Sequence, residues 1–511
     1  MIGEACSVET VRALEAAAIE RLGDDDILMQ RAAAGLAAAV ARELAELRGR
    51  VYGTKVLVMV GPGNNGGDAL FAGARLARRG VSVTAVRCLG EPHARGLAAL
   101  RAAGGRMVDL ADLGIRAEPV EAPFDKLRVQ PRLDFDLAVD GVLGIGGRPG
   151  LPQPVADLAG ALRDSGPIPI VAVDLPSGVA ADTGAVPGAA IEARRTVSFG
   201  VPKFCHLLEP ARSRCGAIEV VDIGLRPYTR HARQTRLWLQ QADEGELASC
   251  WPYPDARSDK YSRGVVGVHA GSDQYPGAGM LATTGAVYAG AGMVRFLGTD
   301  KPADLIRARL PNVVFSPGRV QAHLLGSGWG EQVDGRDEIA AALDSGLPTV
   351  VDADGLTFLP ERCPGNWLLT PHAGELAKLL GEERSWVTED PIRAVRAGVE
   401  LTGATVLLKG ASQLVAGPDN DSEIRVALPG PVWTGQAGSG DVLGGICAAL
   451  LAAGQRPGMA ALLGASVQAY TATRHPGPIP PHQLAEHLPG TIAVLQRRAR
   501  AVDDEIAHTG W

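Results

Sequence analysis

The chain is 511 residues long, 46% hydrophobic and 21% charged, with a formal net charge of −7. At about 150 residues per domain this length predicts roughly two to four domains, and the balance of apolar and charged residues excludes a largely disordered chain. The acidic balance, with no run of Lys or Arg, leaves no electrostatic footprint for nucleic acid. In chain order, Val8–Leu22 and Ile27–Leu47 read as two Ala-rich helices. A strand–helix alternation then begins. Lys55–Val60 is a short apolar run ending in glycines, Ala69–Arg79 has helical spacing, Val81–Val86 is the next strand and His93–Ala103 a helix. Leu137–Asp140, Ile168–Val173, Thr196–Phe199 and Ile218–Val221 are further short strands, most of them ending in Gly, Asp or Pro. This alternation predicts an α/β fold: a mostly parallel sheet with helices on both faces.

The stretch Arg226–Tyr261 breaks the rhythm. It holds Pro227, Pro252 and Pro254 with few apolar pairs, and reads as a surface connection. A domain boundary is therefore expected near residues 226–240, dividing 1–228 from 229–511. A second series then restarts. Gly264–Gly271 reads as a strand ending in a turn and Ala278–Ala291 as a small-residue helix. Strands are expected at Ala322–Leu325, Thr349–Asp352, Trp367–Leu369, Thr405–Leu408 and Gln413–Ala416, and helices at Asp441–Ala453 and Met459–Arg474. The apolar stretches, such as Val442–Ala453, are too short and too Gly-broken to span a bilayer. Met1–Thr10 lacks a charged-then-apolar signal pattern. Seven Cys, odd in number and without CxxC spacing, predict reduced thiols and a cytoplasmic protein.

Candidate chemistry gathers at strand ends, where open α/β sheets bind ligands. Gly61-Pro62-Gly63-Asn64-Asn65-Gly66-Gly67-Asp68 follows a strand, opens a helix and fits GxGxxG. Glycines there let a backbone approach phosphate, and a helix N-terminus adds N–H groups and a positive dipole. An ordinary NAD dehydrogenase is disfavoured, because Arg87 and Cys88 stand where that fold wants an acid. Asp140 within Asp140-Gly141-Val142-Leu143-Gly144-Ile145-Gly146-Gly147, and Asp174 with Ser177 in Asp174-Leu175-Pro176-Ser177-Gly178, mark two more strand ends. Oxygen ligands with a single carboxylate suit a hard, weakly charged cation better than zinc. In the second half, Ala437-Gly438-Ser439-Gly440-Asp441 precedes a helix. Its N–H groups form an anion hole, and Asp441 beside it suits a base in phosphoryl transfer. Lys409 with its glycine turn (Lys409-Gly410-Ala411-Ser412-Gln413) is a plausible nucleotide phosphate contact, or a solvated strand-end lysine. His372 and Glu375 stand at a strand-to-helix transition, where a capping box is the plain alternative. Gly326-Ser327-Gly328 and Gly271–Ala278 are further Gly-rich turns.

These residues carry a resemblance. GPGNNGGDA, DGVLGIG and DLPSGVAADTG, over about residues 8–225, resemble the motifs of NAD(P)H-hydrate epimerase domains. PHAGE, KGASQ and GQAGSGD, over about 255–495, resemble NAD(P)H-hydrate dehydratases of the ribokinase-like superfamily. The resemblance implies a Rossmann-like three-layer αβα epimerase domain followed by a ribokinase-like αβα dehydratase domain. It implies K+ at Asn65, Asp140 and Ser177. It implies the hydrated nucleotide at Asn64, Asn65, Gly66, Gly67 and Asp68, along Gly144, Ile145, Gly146, Gly147, Arg148, Pro149 and Gly150, and at Asp174, which would be catalytic. In the second domain it implies substrate at Ala278, Gly328, His372 and the catalytic Asp441. ADP with Mg2+ would lie at Lys409, Gly410, Ala411, Ser412 and Gln413 and at Ala437, Gly438, Ser439 and Gly440. The expected function is repair of hydrated NADH and NADPH: the R and S forms are interconverted, and the S form is dehydrated at the expense of ADP, giving AMP and phosphate. A homo-oligomer is expected. The alternative is a ribokinase-like small-molecule kinase fused to a non-catalytic Rossmann-like binding domain; His372, where many such kinases carry Asn, speaks against it.

Overall fold

The computed structural model describes residues 3–24, 26–115, 132–166, 168–420 and 422–509. The chain divides into two compact units, Met1–Trp238 and Leu239–Trp511. In the first unit a short strand β1 (Glu4–Cys6) precedes a seven-stranded parallel sheet. Its strands are β2 (Lys55–Val60), β3 (Ser82–Arg87), β4 (Arg106–Asp109), β5 (Leu137–Gly141), β6 (Ile170–Val173), β7 (Arg195–Phe199) and β8 (Ala217–Val221), in the order β4-β3-β2-β5-β6-β7-β8. Strand β2 shows why the sheet is covered on both faces. Val56, Val58 and Val60 join the core under the helices Asp26–Arg48 and Asn64–Arg78. Leu57 and Met59, pointing the other way, join the core under the helix Gln153–Asp164. The chain runs outward from β2 to β4, then returns beside β2 as β5 and continues to β8. That reversal places a crevice beyond the carboxyl ends of β2 and β5.

In the second sheet the order is β9 (Trp238–Gln241), β17 (Glu423–Val426), β16 (Leu414–Ala416), β15 (Thr405–Leu408), β14 (Trp367–Leu369), β13 (Thr349–Val351), β12 (Ala322–Leu325), β10 (Val265–His269) and β11 (Met293–Phe296). From β15 to β11 the strands are parallel, while β16 is antiparallel to both neighbours. The order reverses between β10 and β12. The ends of β12, β13, β14 and β15 therefore lie side by side.

The segment expected to be a bare surface connection is built differently. It forms the helix Arg226–Thr235, strand β9 across the boundary of the two units, and the helix Glu244–Cys250. Pro227 sits in the first turn of its helix, where a missing N–H costs nothing. Trp238, Leu239, Leu247 and Trp251 are buried. No helix among the described residues is long and apolar enough to cross a membrane.

One helix pair sets the geometry of the second unit. The helix Pro276–Tyr288 packs along the helix Ser439–Ala452, whose first turn carries Asp441. Both are apolar nearly all round, as buried helices are. Their backbones approach because small residues face each other. A Cβ on Gly285 would fall 2.2 Å from the Val442 carbonyl oxygen, and one on Gly445 would fall 2.0 Å from that of Ala282. A side chain at either place must push the helices apart. Gly445→Val is expected to lose about 1–3 kcal/mol by overpacking, read as a lower urea midpoint. An unchanged midpoint would show that the pair is not close-packed.

Candidate functional site

At the switch point of the first sheet, three strand ends converge. Ser177 donates its N–H to Asp140 Oδ2 at 2.8 Å and its hydroxyl to Asp140 Oδ1 at 2.6 Å. Leu143 N–H donates to Ser177 Oγ at 2.8 Å, and Asn65 Nδ2 donates to the Leu143 carbonyl at 3.1 Å. The loops can close in this way because Gly61 lies against them: a Cβ there would sit 1.9 Å from Val142 O. Asp140 is fully buried, and burial pushes its carboxyl up to about 6 against the pull of the Ser177 and Val142 donors. The loop Gly144–Gly150 runs beside it. A Cβ on Gly144 would touch the Asn65 side chain at 3.1 Å, and one on Gly146 would lie 3.3 Å from Arg12 Nη2. Asn64, Arg148 and Pro149 are exposed at its rim.

Asp174, just beyond β6, is held in a left-handed conformation with φ 65. Its Oδ1 accepts from Phe199 N–H at 3.1 Å and from the Lys203 ammonium. Lys203 is buried and also donates to the Phe199 carbonyl at 3.2 Å. His206 fixes the backbone beneath: Nδ1 accepts from Lys203 N–H at 3.0 Å, leaving Nε2–H to face the Asp174 carbonyl at 3.0 Å. Burial and the lysine charge push His206 down to about 3, so it is neutral. Asp68 stands within electrostatic reach of this pair. Burial, then the negative Asp174 and Glu15, hold its carboxyl well above the usual range. One acid bonded to a lysine thus stands near one whose carboxyl burial raises, two unlike environments for the same group.

The second crevice is assembled from the ends of β12 to β15 and the Ser439–Ala452 helix. Asp352, buried, follows β13. Its Oδ1 accepts from Lys409 Nζ at 2.6 Å and Thr370 Oγ1 at 2.8 Å, and its Oδ2 from Ser327 Oγ at 3.2 Å. Burial pulls Lys409 down, but the carboxylates of Asp352, Glu375 and Asp441 outweigh it and raise its pKa. Asp441 is pushed up to about 7 by burial and by the Asp352 charge, opposed by Lys409 and a Ser327 hydrogen bond. Gly438, at φ 91, turns the chain into the helix, and Ser439 Oγ ties that turn to the Thr434 carbonyl at 2.8 Å. Ser439 N–H donates to the Gln436 carbonyl at 3.2 Å, and the first-turn N–H groups, without partners inside the helix, give this end a partial positive charge. Ala278 and Gly328 face each other: a Cβ on Gly328 would lie 2.4 Å from the Ala278 methyl. They adjoin a hollow of about 550 Å3 walled by Tyr275, Asp354 and Phe358.

Residues 25–205 match the family described as YjeF-related protein N-terminus, and residues 266–489 match the family NAD(P)H-hydrate dehydratase. The bifunctional NAD(P)H-hydrate repair enzyme Nnr of Mycobacterium tuberculosis (strain CDC 1551 / Oshkosh) is 42% identical over 89% of this chain and 90% of its own. The protein of the same name from Mycobacterium leprae is 39% identical over 96% of this chain and 99% of its own. The chain belongs to the bifunctional NAD(P)H-hydrate repair enzymes. Its first unit carries the epimerase domain and its second the dehydratase domain. A crystal structure of an ADP/ATP-dependent NAD(P)H-hydrate dehydratase from Bacillus subtilis, co-crystallised with ATP and Mg2+, is 23% identical, with 50% of this chain and 97% of that chain covered and a TM-score of 0.45.

Within this repair enzyme, Asn65, Asp140 and Ser177 stand together, as do Asp441, Gly440 and Lys409. The Lys409 ammonium, expected on a nucleotide phosphate, is bonded to Asp352. His372 caps the helix Ala373–Leu380: Nδ1 accepts from Gly374 N–H at 3.0 Å and Glu375 N–H at 3.1 Å, while Glu375 answers with the reciprocal bond to His372 N–H at 2.7 Å. Its Nε2 edge remains 3.3 Å from Glu375 Oε1. Gly410 and Ala411 form the exposed turn after β15, and Gln413 accepts from Ala427 N–H at 3.0 Å. Sequence reasoning missed Glu15, Lys203, His206 and Asp352. For Lys203 a signal existed, a lone lysine within the apolar run Val201–Cys205. Lys203→Met leaves Asp174 buried without its counter-charge and is expected to cost about 3–5 kcal/mol in urea unfolding, part of which the added Asp174→Asn recovers. A single variant as stable as the parent would show that the pair does not hold this corner.

Proposed function

We propose that the first crevice epimerises the hydrates of NADH and NADPH at C6 of the nicotinamide ring, and that the second dehydrates the S form with ADP. The observation that carries the reading is Asp441: a carboxyl near neutral pKa in the first turn of a helix whose N–H groups form an anion hole. In the dehydratase, Asp441 takes the proton of the C6 hydroxyl as that oxygen attacks the terminal phosphorus of Mg2+-bound ADP, and AMP leaves. Phosphate then leaves as the C6–O bond breaks and a proton is lost from C5, restoring the C5–C6 double bond. Donors at Gly438 and Gly440, with Gly410–Gln413 alongside, would hold the nucleotide's phosphates, while the Ser439 N–H already donates to the Gln436 carbonyl at 3.2 Å. Ala278, Gly328 and His372 would border the hydrated ring.

In the epimerase, the C6 hydroxyl must leave and return. Asp68, whose carboxyl burial holds well above the usual range, gives a proton to the departing hydroxyl while the ring nitrogen's lone pair stabilises C6. Asp174, paired with Lys203, accepts a proton from the water that adds back. Asp140 is one buried negative charge among neutral oxygens of Asn65, Ser177 and Leu143, with no cationic side chain among the groups that shift it. That donor chemistry fits K+, which Asn65, Asp140 and Ser177 would hold. The ion would neutralise Asp140 and attract the substrate's phosphates. The reading also carries a cytoplasmic location, supported by seven unpaired thiols, and self-association, which sedimentation equilibrium tests.

Asp441→Asn is expected to cut ADP-dependent recovery of NADH absorbance by about 10²–10⁴-fold. Because the base must be ionised and its carboxyl stands at about 7, kcat/KM should fall below that pH and level off above it. Full turnover in the variant, or accumulation of a stable phosphorylated product, would overturn the reading. The division of labour is tested in the full chain. Asp174→Asn should consume the S hydrate and stall on R, and adding Asp441→Asn protein should release the stall. For the ion, epimerisation should be faster in KCl than in tetramethylammonium chloride of equal strength, and Asp140→Asn should abolish the difference. Equal rates in both salts with the parent protein would remove K+ from the account.

A further inference from the structure

Asp352 lies beneath the turn that carries the base. A Cβ on Gly440 would sit 3.2 Å from Lys409 Nζ and 3.9 Å from Asp352 Oδ2. The three donors on Asp352 come from three neighbouring strand ends: Ser327 after β12, Thr370 after β14 and Lys409 after β15. Glu375, on the helix Ala373–Leu380, is the other carboxylate near the lysine, but at 3.9 Å it is outside hydrogen-bond distance and is already tied to His372. The groups facing Asp441 are therefore Asp352, Lys409, Ser327 and Glu375, with His372 behind Glu375. One cation stands among three carboxylates, and it is bonded to the one that is most buried and has the most donors.

We propose that Asp352 is a positioning residue that holds Lys409 away from Asp441, so that the base stays free instead of becoming half of an ion pair. This rests on the reading of Asp441 as the dehydratase base. An ammonium within hydrogen-bond reach of Asp441 would favour its ionised form, weaken it as a base and occupy an oxygen that the hydroxyl proton needs. Asp352 removes that competitor by binding it 2.6 Å away. The arrangement also explains why a lysine beside the anion hole leaves the neighbouring carboxyl near neutrality.

The test is a double-mutant cycle read in the pH profile of dehydratase kcat/KM. Asp352→Asn should move the acid limb down by about one pH unit or more, because a like charge is lost and the lysine is released onto Asp441. Lys409→Gln should move the limb up, since a cation is lost. Direct charge effects alone would add. Sequestration requires the lysine substitution to move the limb further in the Asp352→Asn background than in the parent. That non-additive rise is the expected result, and a loss of packing alone would lower rates without producing it. Additive shifts, or an Asp352→Asn limb that stays in place or rises, overturn the proposal. Should Asp352→Asn fail to fold, Asp352→Ser carries the same cycle. Asp441→Asn runs beside it: loss of turnover there with additive shifts sinks only the role of Asp352, whereas full turnover with the parental limb sinks the base and this proposal together.

Discussion

Lys203 on Asp174 and Lys409 on Asp352 are ion pairs withdrawn from water, with side-chain exposures of 1% and 10% in the first and 16% and 2% in the second. Desolvating two such charges costs several kcal/mol per ion, and the attraction offsets this only when the remaining donors and acceptors are also satisfied. Here they are. Phe199 N–H and the Phe199 carbonyl complete the first pair, and Thr370 and Ser327 complete the second. Each pair also coincides with backbone strain. Among the described residues, the non-glycine positions with positive φ are Asp174 at 65 and Ala353, next to Asp352, at 50. Such conformations cost on the order of 1–3 kcal/mol each and persist only where surrounding structure over-determines them. In both units the strained residue lies at the carboxyl end of a central parallel strand, and the lysine arrives from a strand further along the sheet.

The sheets make this possible by ordering their strand ends. Short parallel strands buried on both faces leave the carboxyl edge as the place where polar side chains from several loops meet. In the second unit the helix carrying Asp441 cannot drift relative to that edge, because Gly285 and Gly445 lock it backbone to backbone against its neighbour. The position of Asp441 is thus set by close backbone contact that begins at the next residue, Val442. In the first unit Gly61 and Gly66 do similar work. A Cβ on Gly66 would fall 2.2 Å from the Gly61 carbonyl oxygen, so part of the GxGxxG pattern answers to packing within the protein rather than to a ligand.

Much of this was legible in the residues. Runs such as Lys55–Val60 and Thr405–Leu408 are strands over the expected span, because a doubly covered strand is a continuous apolar run bounded by Gly or a charge. The strand ends holding Asn65, Asp140, Ser177 and Asp441 were readable for the same reason. What escaped was decided by tertiary context. Strand β17 (Glu-Ile-Arg-Val) has little apolar content of its own, and Arg425 there is satisfied by Glu246, 179 residues away in sequence. Strand β9 hid between Pro227, in the first turn of the helix before it, and Pro252 and Pro254, which follow the helix after it. Asp352 reads in sequence as one acid of Asp352-Ala353-Asp354. Its weight comes from Lys409, 57 residues on, which no local pattern links to it.

The two crevices then differ in what stands beside the lysine-bound acid, and the difference follows the chemistry each must perform. Exchange of a hydroxyl at one carbon is symmetric in its two directions, so it needs a proton donor and an acceptor together and no energy source. On the proposed mechanism the first crevice supplies Asp68, its carboxyl raised by burial, against Asp174 held on Lys203. Dehydration in water has to turn a poor leaving group into a good one. On the same proposal the second crevice supplies Asp441, its carboxyl close to neutrality, and a helix N-terminus for the charge that develops on a phosphoryl group. In each, the lysine-bound aspartate raises the pKa of its neighbour by like charge: Asp174 acts on Asp68, and Asp352 on Asp441. The electrostatic device is the same. Burial raises both carboxyls and a lysine opposes each shift, Lys203 at Asp68 and Lys409 at Asp441, where the result is about 7.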